Sequence, residues 1–301
     1  MNSNCIICTK TEEYSHNTMK PFITDIKDYE YGIKKDRELH ECSSCGLVSI
    51  RPIFDSKDLL GLYPSEYSSY SNKSYSKSLF SSIKSVLNKS EAKKVVNHIP
   101  YGGTLLEVGC GNGLFLEEVN NIRPDIKLIG FDIVETNTID KNLIQFHIGE
   151  FESYKKEIDK CDLIYFSNLI EHVIDPILFL DKCNFILNNT GFIYGVTPNH
   201  DSLDRKIFKK YWGGYHYPRH TNIFNDKNIN TILKLTNFEI IKISGLNGFW
   251  YVSLANLLIK LNGYKKRGAS FAICALLFLP LDIFLNLFTV HGSMTFIGKK
   301  A

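Results

Sequence analysis

Cysteines near the start of the chain occur in two pairs, each with two residues between its members. Cys5 and Cys8 form the first pair, and Cys42 and Cys45 form the second. Each pair can turn two thiolates toward one metal ion, and four thiolates satisfy the tetrahedral coordination that zinc prefers. Because four thiolates leave no open position for a substrate, the spacing predicts a structural zinc ion rather than a catalytic one.

A glycine-rich loop follows an apolar stretch near the middle of the chain. Gly109, Gly111 and Gly113 stand at alternate positions directly after TLLEV at 104–108. The dinucleotide fingerprint G-x-G-x-x-G would need glycine at position 114, where the chain has Leu, and the sequence also lacks the phosphate-loop motif G-K-[ST]. The loop therefore predicts close approach of the backbone to a small ligand without a pyrophosphate.

Two carboxylates accompany this loop. Glu107 stands at its approach, where it would repel a phosphate and attract an ammonium group. Asp132 ends the apolar stretch KLIGFD, and a carboxylate at that place can accept both hydroxyls of a ribose. A ligand with an amino-acid end and an adenosine end would satisfy both carboxylates, and S-adenosylmethionine fits this description.

The elements that would position these residues follow an alternating pattern. Apolar strands are predicted at 104–108, 127–132, 143–147, 162–167, 191–197, 238–244 and 293–298, with helices at 114–122, 175–187 and 226–236. Asp at the N-cap and Pro in the first turn, at 175 and 176, mark the start of the second helix. Apolar strands separated by helices indicate an α/β fold with a doubly wound parallel sheet.

The stretches LLEVGCGNG, GFDI and DLIYFSNLIEHVIDP resemble the class I S-adenosylmethionine-dependent methyltransferases, over about residues 100–245. This resemblance implies a Rossmann-like, mostly parallel seven-stranded sheet whose last strand is antiparallel. The stretch after Asp132 is short and polar, which predicts a stunted second helix. The resemblance assigns cofactor contacts to Glu107, Gly109, Gly111, Gly113 and Asp132, and by position to Glu150, Phe151, Ser167 and Asn168.

Methyl transfer to a hydroxyl or carbon acceptor requires a base, and histidine is the usual choice. His172, His216 and His220 lie in loops expected at the carboxyl ends of central strands, so they are the candidate catalytic residues. The alternatives are a structural histidine bonded to backbone at position 172 and solvated loop histidines at the other two. The candidate substrate-binding residues are Glu171, Tyr215 and Arg219, of which Arg219 suits an anionic acceptor.

Two further stretches, ECSSCGLVSIRP and YWGGYHYPRHTNIF, look like a zinc-ribbon subgroup encoded with sugar and surface-glycan biosynthesis. The resemblance implies a sugar acceptor in a nucleotide-linked or lipid-linked glycan precursor. One alternative is an RNA methyltransferase whose ribbon binds RNA, which the net charge of +3 disfavours. Another is a non-catalytic module that binds the cofactor.

Composition and patterning divide the 301 residues into three parts. A zinc ribbon is predicted over 1–55, a Tyr/Ser-rich linker and helix over 56–99, and the methyltransferase domain over 100–301. The hydrophobic share of 44% is ordinary for a globular protein. The first residues show no basic-then-apolar leader, which predicts a cytoplasmic protein whose 8 cysteines do not form a disulfide framework.

An apolar insertion at 246–291 precedes the last strand, with helices predicted at 249–262 and 269–290. Pro280 and Asp282 interrupt the second helix and disfavour a transmembrane span. The remaining interpretations are a core helix, a homodimer interface, or a helix on the membrane surface. In the last case the protein would be membrane-associated through 265–290, with the basic residues at 265–267 at the lipid headgroups.

Overall fold

The computed structural model describes residues 4–11, 18–55, 58–59, 61–63, 79–134, 138–246, 248–262, 284–285 and 291–301. Most of the Tyr/Ser-rich segment lies outside these ranges, as do the basic residues 265–267 and nearly all of the predicted helix 269–290. Within the described part of the chain, no helix combines the length and apolar character required to cross a membrane.

The centre of the molecule is a seven-stranded sheet in the order β10-β11-β8-β7-β4-β5-β6. Strands β4 to β8 pair in parallel, whereas β11 is antiparallel to both of its neighbours. The doubly wound, mostly parallel fold predicted from the sequence is confirmed. The seven strands are β4 (Thr104–Val108), β5 (Lys127–Asp132), β6 (Ile144–Ile148), β7 (Cys161–Ser167), β8 (Leu187–Pro198), β10 (Phe238–Leu246) and β11 (Ser293–Lys300).

Helices connect the strands and begin where the sequence provides suitable caps. Asp175 accepts hydrogen bonds from the backbone N–H groups of Ile177 and Leu178, with Pro176 in the first turn. The described residues between β5 and β6 contain no helix, as the short polar stretch there predicts. The helices are α1 (Leu79–Val95), α2 (Leu114–Ile122), α3 (Pro176–Ile186), α4 (Leu203–Phe208), α5 (Asp226–Leu235) and α6 (Trp250–Leu261). Helix α6 confirms the first predicted helix of the insertion.

An N-terminal module, comprising residues 4–11 and 18–55, carries a second sheet. Its strands β1 (Met19–Ile23), β2 (Glu38–Cys42) and β3 (Val48–Arg51) pair antiparallel, and β9 (Asn222–Ile223) from the later chain extends the sheet. Ser49 Oγ donates a hydrogen bond to Asn222 Oδ1 at 2.9 Å. The module predicted over 1–55 therefore shares its sheet with the main domain instead of standing apart from it.

A buried aromatic cluster joins the two parts of the protein. Trp212, Tyr215 and Tyr217 pack in one core with Leu39 and Ile50 of the N-terminal module. This packing removes the aromatic side chains of YWGGYHYPRHTNIF from water, which stabilises the module against the main domain. The segment that connects β8 to β9 is thereby held over the carboxyl ends of the central strands.

Candidate functional site

A cavity of about 990 Å³ lies at the carboxyl ends of β4, β5 and β7. This is the edge of an open α/β sheet at which ligands bind, because the strand order reverses there. The glycine loop after β4 forms one wall, and Gly109 and Gly111 adopt φ values of +77° and +54° that favour glycine. A Cβ atom at position 109 would stand 3.1 Å from the Leu169 side chain.

Glu107 provides a buried carboxylate at this wall. Its side chain is 6% exposed, and Oε2 has no hydrogen-bond partner among the described residues. Burial, together with the nearby charge of Asp132, raises the pKa of Glu107 well above its usual range. A cationic ligand group would supply the missing partner and favour the ionised form of this carboxylate.

Asp132 ends β5 on the same side of the cavity. Its Oδ2 accepts a hydrogen bond from the N–H of Gly111 at 2.8 Å, and Oδ1 accepts one from Val134 at 3.2 Å. Burial raises the pKa of this carboxyl, and the backbone N–H groups oppose the shift. Asp132 therefore ties the glycine loop to β5 as well as facing the cavity.

The other residues predicted to bind the cofactor also reach the cavity, except for Gly113. Glu150, Phe151, Ser167 and Asn168 line it. Phe151 packs edge-to-face against Phe131, with ring centroids 5.2 Å apart. Gly113, with φ +78°, is the N-cap of α2 and sets the start of that helix.

These residues fit S-adenosylmethionine by the chemistry of their donor set. Glu107 suits the amino group, Asp132 suits the ribose hydroxyls, and Phe151 suits the face of a base. The cavity is also at the upper end of typical ligand pockets of about 300–1,000 Å³, which leaves room for an acceptor beside the cofactor.

A histidine cluster occupies another part of the same cavity wall. His172, His216 and His220 all line the cavity, and one nitrogen from each lies within 4.8 Å of the others. The three rings are nearly perpendicular to one another, with interplanar angles of 82–86°. The structure therefore brings together the three candidate bases that the sequence predicts in separate loops.

Backbone carbonyls settle the tautomers of two of these histidines. Nδ1 of His172 lies 3.1 Å from the carbonyl oxygen of Arg219, and Nδ1 of His220 lies 2.8 Å from that of Gly214. A carbonyl can only accept, so Nδ1 carries the proton in both rings and Nε2 carries the lone pair. Burial lowers the pKa of His172 to about 4 and that of His220 well below its usual range. Both rings are consequently neutral at pH 7.

His216 has different partners. Its Nε2 lies 2.5 Å from Glu30 Oε2 and 3.1 Å from Arg219 Nε. The carboxylate comes from the loop between β1 and β2 of the N-terminal module, and Glu30 itself lines the cavity. Tyr63, whose hydroxyl lies 2.9 Å from Nδ1 of His172, also lines it. Sequence reasoning missed Glu30 because nothing in the local pattern relates it to a histidine 186 positions later.

The three predicted substrate-binding residues lie behind the cavity wall. Glu171 and Arg219 are fully buried and Tyr215 is 2% exposed, so none is placed to touch a ligand directly. Arg219 differs from the expectation of a free cation because its guanidinium is bonded to Asp28 and Glu30. Burial raises the pKa of Glu171 to about 8, while Thr197 donates a hydrogen bond to its Oε2.

The four paired cysteines converge at one buried point. Sγ of Cys5 lies 3.6 Å from that of Cys45, and Sγ of Cys8 lies 3.6 Å from that of Cys42. A tetrahedral zinc ion with Zn–S bonds of about 2.3 Å holds its sulfurs about 3.8 Å apart, so the donor set fits zinc. The hydrogen bond with Cys45 lowers the pKa of Cys5 to about 5.

Comparison with known families agrees with this geometry. The model of a family described as a methyltransferase domain matches residues 79–243, which is more than half of the chain. The chain therefore belongs to the methyltransferase domain family. It has the sheet order and cofactor loop expected of the class I enzymes that use S-adenosylmethionine.

Curated relatives are O-methyltransferases of ubiquinone biosynthesis. The human mitochondrial enzyme is 30% identical over 128 residues, which cover 37% of this chain and 34% of that protein. The enzyme of Chelativorans sp. (strain BNC1) is 29% identical over 109 residues, which cover 33% of this chain and 42% of that protein. The chain spans between about a third and a half of the length of the curated relatives it matches.

Solved structures share the fold at low sequence identity. The 1,6-didemethyltoxoflavin-N1-methyltransferase of Burkholderia thailandensis has a TM-score of 0.55 and 10% identity, covering 89% of this chain and 97% of that chain. A Galdieria sulphuraria protein described as a sarcosine dimethylglycine methyltransferase has a TM-score of 0.51 and 13% identity, covering 73% and 86%. Both comparisons concern the fold alone.

Proposed function

We propose that the protein transfers a methyl group from S-adenosylmethionine to a hydroxyl oxygen of an organic acceptor. The observation that carries this proposal is the single cavity shared by the cofactor residues and the three histidines. The cofactor supplies an electrophilic methyl group on a sulfonium. The protein must then align the acceptor and receive its proton, and the histidine cluster is placed to do both.

The acceptor we propose is a sugar hydroxyl in a nucleotide-linked or lipid-linked glycan precursor. The stretches ECSSCGLVSIRP and YWGGYHYPRHTNIF support this proposal through the subgroup that they resemble. A phenolic hydroxyl is the second candidate, which the ubiquinone O-methyltransferase relatives favour. Both acceptors present a hydroxyl oxygen, so the same residues would act on either.

We also propose that Cys5, Cys8, Cys42 and Cys45 hold a structural zinc ion. The ion would be closed to substrate because four sulfurs complete its coordination. Its role would be to hold the two turns of the N-terminal module together. Asn228 Nδ2 donates a hydrogen bond to the carbonyl of Cys45 at 2.9 Å, so the second turn is also fastened to α5.

The test is a transfer assay with S-adenosylmethionine labelled at its methyl group. The acceptors are dTDP-glucose, UDP-N-acetylglucosamine, 3,4-dihydroxybenzoate and bulk tRNA, with a Gly111→Val variant as the matched inactive control. Label in a sugar supports the first acceptor class, and label in the phenol supports the second. Label in tRNA alone would replace both with the RNA methyltransferase alternative. Cofactor binding without any transfer would favour a non-catalytic module.

A further inference from the structure

The loop between β1 and β2 extends from the N-terminal module to the histidine cluster. Asp28 is 5% exposed and shapes this loop, because its Oδ1 accepts hydrogen bonds from the N–H groups of Glu30 and Tyr31 at 2.9 and 3.2 Å. Its Oδ2 accepts another from Ile33 at 3.2 Å. The backbone that carries Glu30 is therefore anchored from within.

Arg219 fastens the same loop to the main domain. Its guanidinium contacts both oxygens of Asp28, and NH2 lies 3.3 Å from Glu30 Oε2. The guanidinium also lies over the ring of Tyr31, 4.9 Å from its centroid. The Glu30 carboxylate thus has a fixed position between the guanidinium and the His216 ring.

We propose that Glu30 is a positioning residue of the acceptor site, which sets the tautomer of His216 so that this ring can take the acceptor's proton. The inference rests on the proposed methyl transfer to a hydroxyl. At 2.5 Å the carboxylate is the nearer partner of Nε2, and a carboxylate only accepts, so Nε2 carries the proton. The lone pair is then on Nδ1, and His216 differs in this respect from His172 and His220.

The arrangement also predicts what happens without the carboxylate. Arg219 Nε would remain 3.1 Å from Nε2, and a guanidinium can only donate. The neutral ring would then move its proton to Nδ1 and leave Nε2 to accept from Arg219. In that tautomer Nδ1 has no lone pair, so His216 could not act as the base.

The proton and charge balance is complete with these groups. The acceptor's O–H bond breaks as its O–CH3 bond forms, and its proton passes to Nδ1 of His216. The S–CH3 bond breaks and leaves a neutral thioether. The positive charge of the sulfonium is thereby transferred to the imidazolium, which the Glu30 carboxylate stabilises. The N-terminal module is a working part of the active site in this scheme.

The decisive experiment measures the tautomer directly. The full protein, labelled with 15N-histidine and bound to S-adenosylhomocysteine, is examined by long-range 1H–15N correlation, and a His216→Asn variant assigns the signal. We expect the proton on Nε2 in the wild type and in Glu30→Gln, which keeps an acceptor oxygen. We expect it on Nδ1 in Glu30→Met, which fills the space without an acceptor. Glu38→Met, which removes an exposed carboxylate of the same module, should change nothing at His216.

Turnover provides the second measurement. With whichever of dTDP-glucose or 3,4-dihydroxybenzoate the wild type methylates, Glu30→Met should lower kcat by about 10²–10⁴ at unchanged S-adenosylhomocysteine affinity, as with a wrong tautomer in a serine-protease triad. Glu30→Gln should retain more activity than Glu30→Met. A wild-type proton on Nδ1, or an unchanged tautomer in Glu30→Met, would overturn the proposal. If the tautomer responds as expected but no acceptor is methylated, the proposed reaction fails and the Glu30–His216 relationship stands.

Discussion

Arg219 and Asp28, 191 positions apart in the chain, meet in two parallel hydrogen bonds. NH1 donates to Oδ2 at 3.1 Å and NH2 donates to Oδ1 at 3.2 Å. The side chains of both residues are almost completely excluded from water, with exposures of 0% and 1%. This pair connects the N-terminal module to the segment that carries His216 and His220, so it joins the fold to the site.

Removing one partner of this pair should destabilise the whole protein. Arg219→Met would leave the Asp28 carboxylate buried without its cation, and such losses typically cost 3–5 kcal/mol in the free energy of unfolding, or about that here. Urea denaturation of the full chain measures the loss. Arg123→Met, which breaks a pair with Asp125 on the surface, is the matched control and should cost far less. Equal losses in the two variants would contradict the structural role of Arg219.

Cofactor binding should depend on the glycine loop and on Asp132. A branched side chain in Gly111→Val would occupy the cavity at a backbone position with φ +54°. Asp132→Ala would remove the acceptor for the ribose hydroxyls and also the partner of the Gly111 N–H. Two lost hydrogen bonds to a charged group predict at least about 100-fold weaker S-adenosylhomocysteine binding by calorimetry.

Two matched variants separate this effect from general damage. Gly102→Ala changes another positive-φ glycine, at φ +69° and with open space around it, far from the cavity lining. Asp140→Ala removes a carboxylate that caps a turn through the Asn142 N–H. Both variants should keep wild-type affinity. Unchanged affinity in Gly111→Val and Asp132→Ala would show that the cofactor binds elsewhere.

The metal prediction concerns Cys42. Protein purified without added metal should contain about one zinc ion per chain, and Cys42→Ser should lose it because serine is a poor zinc ligand. Elemental analysis measures the metal, and thermal unfolding should show a less stable N-terminal module. Ser43→Ala, at the neighbouring position, should keep the zinc. Full zinc content and stability in Cys42→Ser would exclude the four-cysteine site.

The sequence is sufficient to predict the central sheet because its signals are local. Apolar runs, the glycine loop and the Asp175-Pro176 cap each specify one element, and parallel strands bring their carboxyl ends to one edge. Burial is harder to predict, and Arg219 illustrates the difficulty. Its type suggests an anion-binding group, but it becomes a structural cation because Asp28 and Glu30 arrive from a loop about 190 residues earlier. No pattern in either segment identifies the other.

Glu171 should make stability fall as the pH rises. Its pKa in the folded protein is about 8, above the ordinary value of 4.5. The folded protein therefore holds a proton that the unfolded chain releases, so the contribution is complete below pH 4.5 and is lost as the pH rises through 8. His172 has the opposite sign: its pKa falls from 6.5 to about 4, so its contribution is lost as the pH falls through that interval.

Glu171→Gln isolates the alkaline part of this dependence. The amide oxygen can still accept the hydrogen bond from Thr197, but the side chain never ionises. The variant should therefore gain stability relative to the wild type between pH 5 and pH 9, as measured by urea denaturation at several pH values. Glu239→Gln, on an exposed position of β10, should show the wild-type pH dependence. A constant difference between Glu171→Gln and the wild type would contradict the raised pKa.

The histidines should control the chemical step rather than cofactor binding. A hydroxyl acceptor is a poor nucleophile while protonated, and a positioned base contributes about 10²–10⁴ in rate. We expect at least one of His172→Ala, His216→Ala and His220→Ala to lower kcat by such a factor at nearly unchanged S-adenosylhomocysteine affinity.

His216 should be the most sensitive of the three. It contacts a carboxylate that can stabilise its cation, whereas Nδ1 of His220 is committed to the Gly214 carbonyl. His98→Ala is a suitable control, since that histidine packs against Phe192 and Tyr194 and does not line the cavity. If all three cluster variants keep the wild-type kcat with the true acceptor, no histidine is the base. An amine acceptor, which can react in its unprotonated form, would then explain the cavity better than a hydroxyl.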